Sequence, residues 1–116
     1  MIAPKSYKFA LRTVNLYKWL LKEQKEFVLS KQLLRSGTAV GALVKEAEHA
    51  QSKADFLNKM NVALKEANET EYWLILLKDS EYLSEKEFVS IYKDCQELIK
   101  LLVSIVKTTK NTLSRK

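Results

Sequence analysis

A chain of 116 residues that is 47% hydrophobic and 29% charged has room for one packed core and not for two. Two glycines and one proline are too few for a hairpin-rich β protein, whose turns consume both, and no apolar run approaches the roughly 18 residues of a membrane span. The net charge of +6 is concentrated at the ends: Lys5, Lys8, Arg12, Lys18 and Lys22 precede the first acid, and Lys100, Lys107, Lys110, Arg115 and Lys116 follow the last, an arrangement that attracts nucleic acid or anionic membrane, or only keeps a protein in solution.

The first helix is expected over roughly 5–22, opening after Pro4 with Ser6 as its cap. Ala10, Val14, Tyr17 and Leu21 recur at helical spacing and predict its buried face, while Lys5, Lys8 and Arg12 share another. A turn is expected between Lys22 and Glu26, although neither glycine nor proline marks it. The second helix is expected over 27–50, with Leu33, Val40, Val44 and Ala47 facing inward. It carries both glycines, Gly37 and Gly41, four residues apart. A glycine inside a helix costs about 1 kcal/mol relative to alanine. The apolar period nonetheless runs unbroken through both, so they read as helical positions that admit another helix at close range, with a helix break at Gly37 as the alternative.

Ser52, with Asp55 three residues on, resembles a capping box opening a third helix over 53–78. Phe56, Met60, Ala63, Ala67, Leu74 and Leu77 form its inner face, and Thr70 fills the gap in that stripe. The stretch EYWLILL is apolar on more than one face, which suggests either an interface beyond the bundle through Tyr72 and Trp73 or a Trp73 that caps the bundle's end. Ser84 and Glu87 form a capping box, with Leu83 and Phe88 as a hydrophobic staple, for a fourth helix over 84–110. Phe88, Tyr92, Cys95, Leu98, Leu102 and Ile105 line its core side, and Lys86, Lys93, Lys100 and Lys107 recur every seven residues as one stripe. Four amphipathic helices with short links predict an all-α, antiparallel up-down four-helix bundle, a single domain over 1–116.

Residues for covalent or metal chemistry are scarce. Glu46 and His49 have the Glu-x-x-His spacing of di-iron bundles, but His49 is the only histidine, so neither metal nor another cofactor is expected. No nucleophile elbow or glycine-rich phosphate cradle occurs, and nothing brings Cys95 to His49, so the chain is read as non-enzymatic. The lone Cys95 rules out an internal disulfide and fits a reducing compartment, hence a cytoplasmic protein.

The segment LLRSGTAVGALVKEAEHAQSKADFLNKMNVALKEANETEYWLILL closely resembles the four-helix bundle family of proteins encoded in 23S ribosomal RNA intervening sequences. The shared elements are Arg35 to Thr38, Glu46 with Ala47, Ser52 to Phe56, and Leu64 to Leu74. The resemblance implies an up-down bundle that assembles into a homopentameric, barrel-like ring. The accessory variability determinant proteins of diversity-generating retroelements look like relatives, and those are basic pentamers that bind nucleic acid and a reverse transcriptase. Carried onto this chain, the motif residues are Arg35, Ser36, Gly37, Glu46, Lys53, Asp55, Phe56, Lys59, Glu66, Glu69, Thr70, Tyr72 and Trp73. Their mixed signs suggest ion pairs between the second and third helices or across subunits. Leu43 departs from the pattern, standing where many relatives have a small or polar residue.

The expected function is a homo-oligomer that binds RNA or DNA through Lys5, Lys8, Arg12, Lys18 and Lys22 of the first helix and Lys93, Lys100, Lys107 and Lys110 of the fourth. The rival is a scaffold for a partner protein whose basic surface serves solubility. A third reading, an interfacial membrane binder using Trp19 and the lysines of the first helix, is the weakest.

Overall fold

The computed structural model describes residues 1–115, which form four α-helices and no strand: α1 (Ile2–Glu23), α2 (Leu29–Ala47), α3 (Lys53–Asp79) and α4 (Glu85–Ser114). Residue pairs run in opposite order along every neighbouring pair of helices. Gly37 faces Thr13 while Gly41 faces Ser6. Arg35 reaches Glu69 while Glu46 reaches Lys59. Cys95 faces Ala67 while Lys78 lies over the Phe88 ring. Lys5 meets Glu97 and Arg12 meets Asp94, which closes α1 onto α4. The product is an up-and-down bundle, a rod of 53 × 21 × 21 Å. None of its helices is long and apolar enough to cross a membrane among the described residues.

Three of the four inner faces match the apolar periodicity. Leu33, Val40, Val44 and Ala47 of α2 are buried, as are Met60, Ala63, Ala67, Leu74 and Leu77 of α3 and Phe88, Cys95, Leu98 and Leu102 of α4. Ile91 joins them, while Tyr92 and Ile105 pack at the margin. Thr70, in the gap of the α3 stripe, is fully buried; its hydroxyl lies 2.9 Å from the Ser36 hydroxyl and 2.8 Å from the Glu66 carbonyl, so a polar pair spans α2 and α3 with no unmet hydrogen bond. The Cys95 thiol lies 3.6 Å from the Ala67 carbonyl, and burial, with the carboxylates of Glu71 and Asp94 adding, pushes its pKa up to about 12. It stays a thiol at neutral pH and behaves as a small core residue.

The inner face of α1 differs from the expected one. Ser6, Phe9, Thr13 and Leu20 are buried, with Leu16 and Trp19 packed beside them, whereas Ala10, Val14, Tyr17 and Leu21 are only half-buried. The reason lies on α2. A Cβ placed on Gly37 would sit 2.6 Å from Thr13 Cγ2, and one on Gly41 would sit 3.2 Å from the Ser6 carbonyl oxygen. The missing side chain of Gly37 thus receives that of Thr13, that of Gly41 lets the Ser6 backbone approach, and the larger apolar stripe rotates outward. Both hydroxyls fold back on their own helix, Ser6 onto the Ala3 carbonyl at 3.0 Å and Thr13 onto the Phe9 carbonyl at 2.8 Å, which lets them be buried without a partner helix. The helix also starts at Ile2 rather than 5, with Pro4 in its first turn, where a missing N–H costs nothing and Ser6 is not a cap.

Turn residues that carry no glycine explain the other boundary shifts. Lys25 adopts φ 53° and reverses the chain after α1. The next residue, Glu26, is buried and caps α2: its carboxylate accepts hydrogen bonds from the N–H groups of Val28, Leu29 and Ser30 at 3.1, 2.9 and 2.7 Å. Hence α2 spans 29–47 rather than 27–50. Ser52 accepts from the Asp55 N–H as expected, but Asp55 reaches back to Gln51, so only half the capping box forms. After α3, Glu81 at φ 68° completes a left-handed helix end, with its N–H on the Lys78 carbonyl and that of Tyr82 on the Leu77 carbonyl. The Ser84–Glu87 box is complete, and Leu83 and Phe88 are both buried beside it. α4 then continues past 110 to Ser114.

Two predictions follow from these contacts. Gly37→Ala should lower stability in urea unfolding by about 1–3 kcal/mol although alanine favours helix, because the added methyl meets the short, branched Thr13. Adding Thr13→Ala should restore most of that loss, a coupling that a double-mutant cycle reads directly; additive effects would refute the contact. For Glu26, burial is the largest single influence and raises its pKa, but the hydrogen bonds from Leu29, Ser30 and Val28 together outweigh it and hold the carboxyl below its ordinary 4.5. Its contribution is therefore complete above pH 4.5 and lost as the pH falls through the lower folded value. Glu26→Gln should destabilise by about 1 kcal/mol at pH 7, and the difference from the parent should shrink in acid.

Candidate nucleic-acid interface

The cations of α1 and α4 meet different environments. Lys5 Nζ lies 3.1 Å from Glu97 Oε2, and Arg12 donates to Asp94 Oδ2 at 2.6 Å and to the Ser90 carbonyl at 3.1 Å. Lys8 lines the same cleft as Lys5, Asp94 and Glu97. The antiparallel register thus brings three α1 cations against the two mid-helix acids of α4. Sequence inspection could have found this pairing, since Asp94 and Glu97 lie one helical turn apart along one edge of α4. These surface pairs are worth at most about 1 kcal/mol each, and their effect on the field outweighs their effect on stability. They spend α1 charge inside the chain.

The α4 stripe is left uncompensated. Lys86, Lys93, Lys100 and Lys107 are all exposed, and among the described residues none pairs with a carboxylate. At 1.5 Å per residue they stand about 10.5 Å apart along the axis and cover about 32 Å. Half-exposed Val89 and Val103 lie among them. Glu97, the nearest acid, is held by Lys5. Lys18 and Lys22 are exposed on α1. Because Lys5 is level with Glu97, α4 runs several turns beyond the start of α1, and Lys107 and Lys110 sit on that overhang. Lys116 lies outside the described residues.

The motif residues of α2 and α3 form a brace. Arg35 is bonded to Glu69 and lies 3.4 Å from Glu66, and Glu69 also accepts from the Trp73 indole at 3.2 Å. Lys59 reaches Glu46 at 3.5 Å. The ion pairs therefore lie within the chain, between α2 and α3. Glu46 is taken up in this way, and exposed His49 stands past the end of α2. Lys53 is exposed in the first turn of α3, and Asp55 serves the helix start. Trp73 is packed against the core, whereas Tyr72, edge-on to it at 5.1 Å, is 59% exposed beside Ile75. On α1, Tyr7 and Leu11 form a second exposed apolar patch. Trp19 is half-buried and packs against the core next to Leu83 and Ile91.

Comparison with known proteins agrees with this architecture. A crystal structure of a protein of unknown function from the S23 ribosomal protein family of Bacteroides thetaiotaomicron VPI-5482 superposes with a TM-score of 0.91 at 61% identity, over 92% of this chain and 99% of that one. No curated protein matches. The profile of the family described as 23S rRNA-intervening sequence protein matches residues 1–104. With the bundle, its glycine contact and its Arg35 brace all inside that span, the chain belongs to the 23S rRNA-intervening sequence protein family.

Proposed function

We propose that this protein is a non-enzymatic, homo-oligomeric bundle that binds RNA or DNA without sequence preference through the lysines of α4, in the cytoplasm and without a cofactor. The observation that carries this reading is the stripe of four exposed lysines lacking carboxylate partners on a helix whose two mid-helix acids, Asp94 and Glu97, are engaged by α1. When such an array neutralises phosphates, the cations condensed on the nucleic acid are released, which favours binding at low salt. Lys18, Lys22 and Lys110 extend the field, whereas Lys5 and Arg12 act mainly within the bundle. The likeness to the accessory variability determinant proteins, basic pentamers that bind nucleic acid and a reverse transcriptase, points the same way and makes a protein partner compatible with it.

Self-association is supported by two apolar patches. Tyr7 and Leu11 on α1 are 68% and 51% exposed, and Tyr72 and Ile75 on α3 are 59% and 37% exposed. The backbones of α1 and α3 do not approach closely, and the two helices stand diagonally across the bundle. Two unlike patches on opposite corners suit a heterologous contact, which closes into a ring when the rotation permits. Five subunits is the number that the family resemblance suggests.

The direct test is binding of the purified protein to labelled structured RNA and duplex DNA across a salt series. Affinity of about micromolar or better that falls steeply with salt is expected, and replacing Lys86, Lys93, Lys100 and Lys107 by glutamine should flatten the slope by roughly one for each lysine that engages a phosphate. Absence of binding at low salt would overturn the reading. Charge reversal at Lys5 or Arg12 is a poor substitute, because it sets an acid against Glu97 or Asp94 and strains the α1–α4 seam. Light scattering should give a mass several times that of the chain, and Tyr7→Glu with Leu11→Glu should lower it while leaving the helical circular dichroism unchanged. A parent that is monomeric, or a mass unmoved by these changes, would refute the α1 contact.

A further inference from the structure

We infer that the α4 stripe is built for the backbone of a double helix rather than for a single strand, an inference that rests on the nucleic-acid reading above and names its ligand. Three observations carry it. The first is rigidity. The lysines ride on one uninterrupted helix from Glu85 to Ser114, so their spacing is fixed along a slowly turning stripe of about 32 Å. That length is close to the 34–36 Å of one duplex turn, and a regular rigid array of cations complements a regular rigid array of phosphates. A flexible strand gains nothing from that order.

The second observation is what the face lacks. Single-strand binders pair a basic groove with aromatic side chains on which bases stack. Between Lys86 and Lys107 the exposed face of α4 offers, besides lysines, Glu87 in the capping box, Val89, Ser90, Glu97, Val103 and Ser104. The two aromatics of α4 are turned away: Phe88 is buried, and Tyr92 is stacked on it with ring centroids 4.8 Å apart, its hydroxyl 2.8 Å from Gln96. The exposed aromatics of the chain lie elsewhere, Tyr7 on α1, Phe27 in the α1–α2 turn and Tyr72 on α3. Unstacked bases therefore find no platform beside the lysines.

The third is the placement of acid. Asp94 and Glu97 lie along the α1 edge of α4, where Arg12 and Lys5 cover them, and Glu71 of α3 accepts from Gln96 at 2.9 Å on the other side. Each carboxylate bordering the middle of the stripe is thus held by an intramolecular partner, which leaves a ridge that a convex phosphate backbone can approach along its length. Contacts of this kind position a duplex without reading its bases. Both A-form RNA and B-form DNA supply the chemistry, and the experiment separates them.

The experiment uses the whole protein at fixed ionic strength. The probes are fluorescent RNA and DNA duplexes of about two turns, roughly 21 base pairs, and unstructured oligo-U and oligo-dT strands with the same number of phosphates. The inference expects at least one of the duplexes to bind about tenfold or more tightly than its single-stranded counterpart, the RNA and DNA arms showing which form fits. Lys93→Gln with Lys100→Gln should remove that preference, whereas Lys31→Gln with Lys65→Gln, an equal loss of exposed charge on α2 and α3, should leave it in place. Circular dichroism confirms that each variant is folded. Equal or tighter binding of the single strands overturns the duplex assignment and leaves the broader nucleic-acid reading standing. Displacement of the duplex by polyglutamate at equal charge overturns it too, since any polyanion would then serve, an acidic protein partner included. Absence of binding to every probe at low salt overturns both readings together.

Discussion

The bundle depends on one close approach, that of α1 onto α2. Gly37 and Gly41 remove two side chains from the α2 surface, and Thr13 and Ser6 occupy the space. At that distance only short side chains fit, so the α1 residues there are small and polar, with their hydroxyls returned to their own backbone carbonyls. Small-residue packing of this kind is best known from membranes, and the requirement is steric, so it holds equally for a bundle in water. Its consequence is a rotation. With Ser6 and Thr13 turned inward, Tyr7 and Leu11 are turned outward, and an apolar face that a looser crossing would bury is left exposed.

The same rotation decides where charge goes. Phe9, Leu16 and Trp19 follow Thr13 toward the core, and Lys5 and Arg12 come round to the edge that meets α4. There they neutralise Asp94 and Glu97. A helix that would otherwise show alternating signs along its middle is left there with lysines as the charges without an ion-pair partner, spaced by the heptad. Packing at one seam thus shapes the electrostatics of the opposite seam, through the rigid geometry of α1 and without any further contact.

Legibility in the sequence follows from which contacts are local. The inner faces of α2, α3 and α4 are readable because each keeps an apolar line at helical spacing, even where EYWLILL adds a second apolar face to α3, and the Ser84–Glu87 cap is readable because both partners lie three residues apart. The glycine contact is readable in kind, since Leu33, Val40 and Val44 keep their period through Gly37 and Gly41. The face of α1 is not, because the helix has two apolar stripes and the choice between them is made by α2. The turns themselves are legible, one between Lys22 and Glu26 and one before Ser84, but the residues that make them are not, because Lys25 and Glu81 take the left-handed conformation without being glycine, at a cost of roughly 1–2 kcal/mol that local caps offset. The capping carboxylate of Glu26 is equally silent, since glutamate is an uncommon cap. Most telling is the candidate site. Charge counts treat Lys5, Arg12, Lys93 and Lys100 alike, and only the antiparallel register separates cations that hold the bundle together from cations that face outward.

That separation bears on what family membership carries. Nearly all the residues by which this chain resembles its family have work inside the bundle: Gly37 at the crossing, Thr70 with Ser36 in the core, Arg35 with Glu66, Glu69 and Trp73 across α2 and α3, and Glu46 with Lys59 at their far end. Removing Ser36 or Thr70 leaves a desolvated hydroxyl, and the half-exposed ion pairs, though weaker, tie α2 to α3, so these positions serve the fold. The lysine stripe belongs to the outer surface, has no role in packing, and runs past residue 104, where the family match ends, to Lys107. A fold can therefore be inherited intact while the surface that meets a partner is free to differ from one member to the next. For this chain the family assigns the scaffold, and the argument for binding rests on where the register of α1 and α4 leaves charge unpaired.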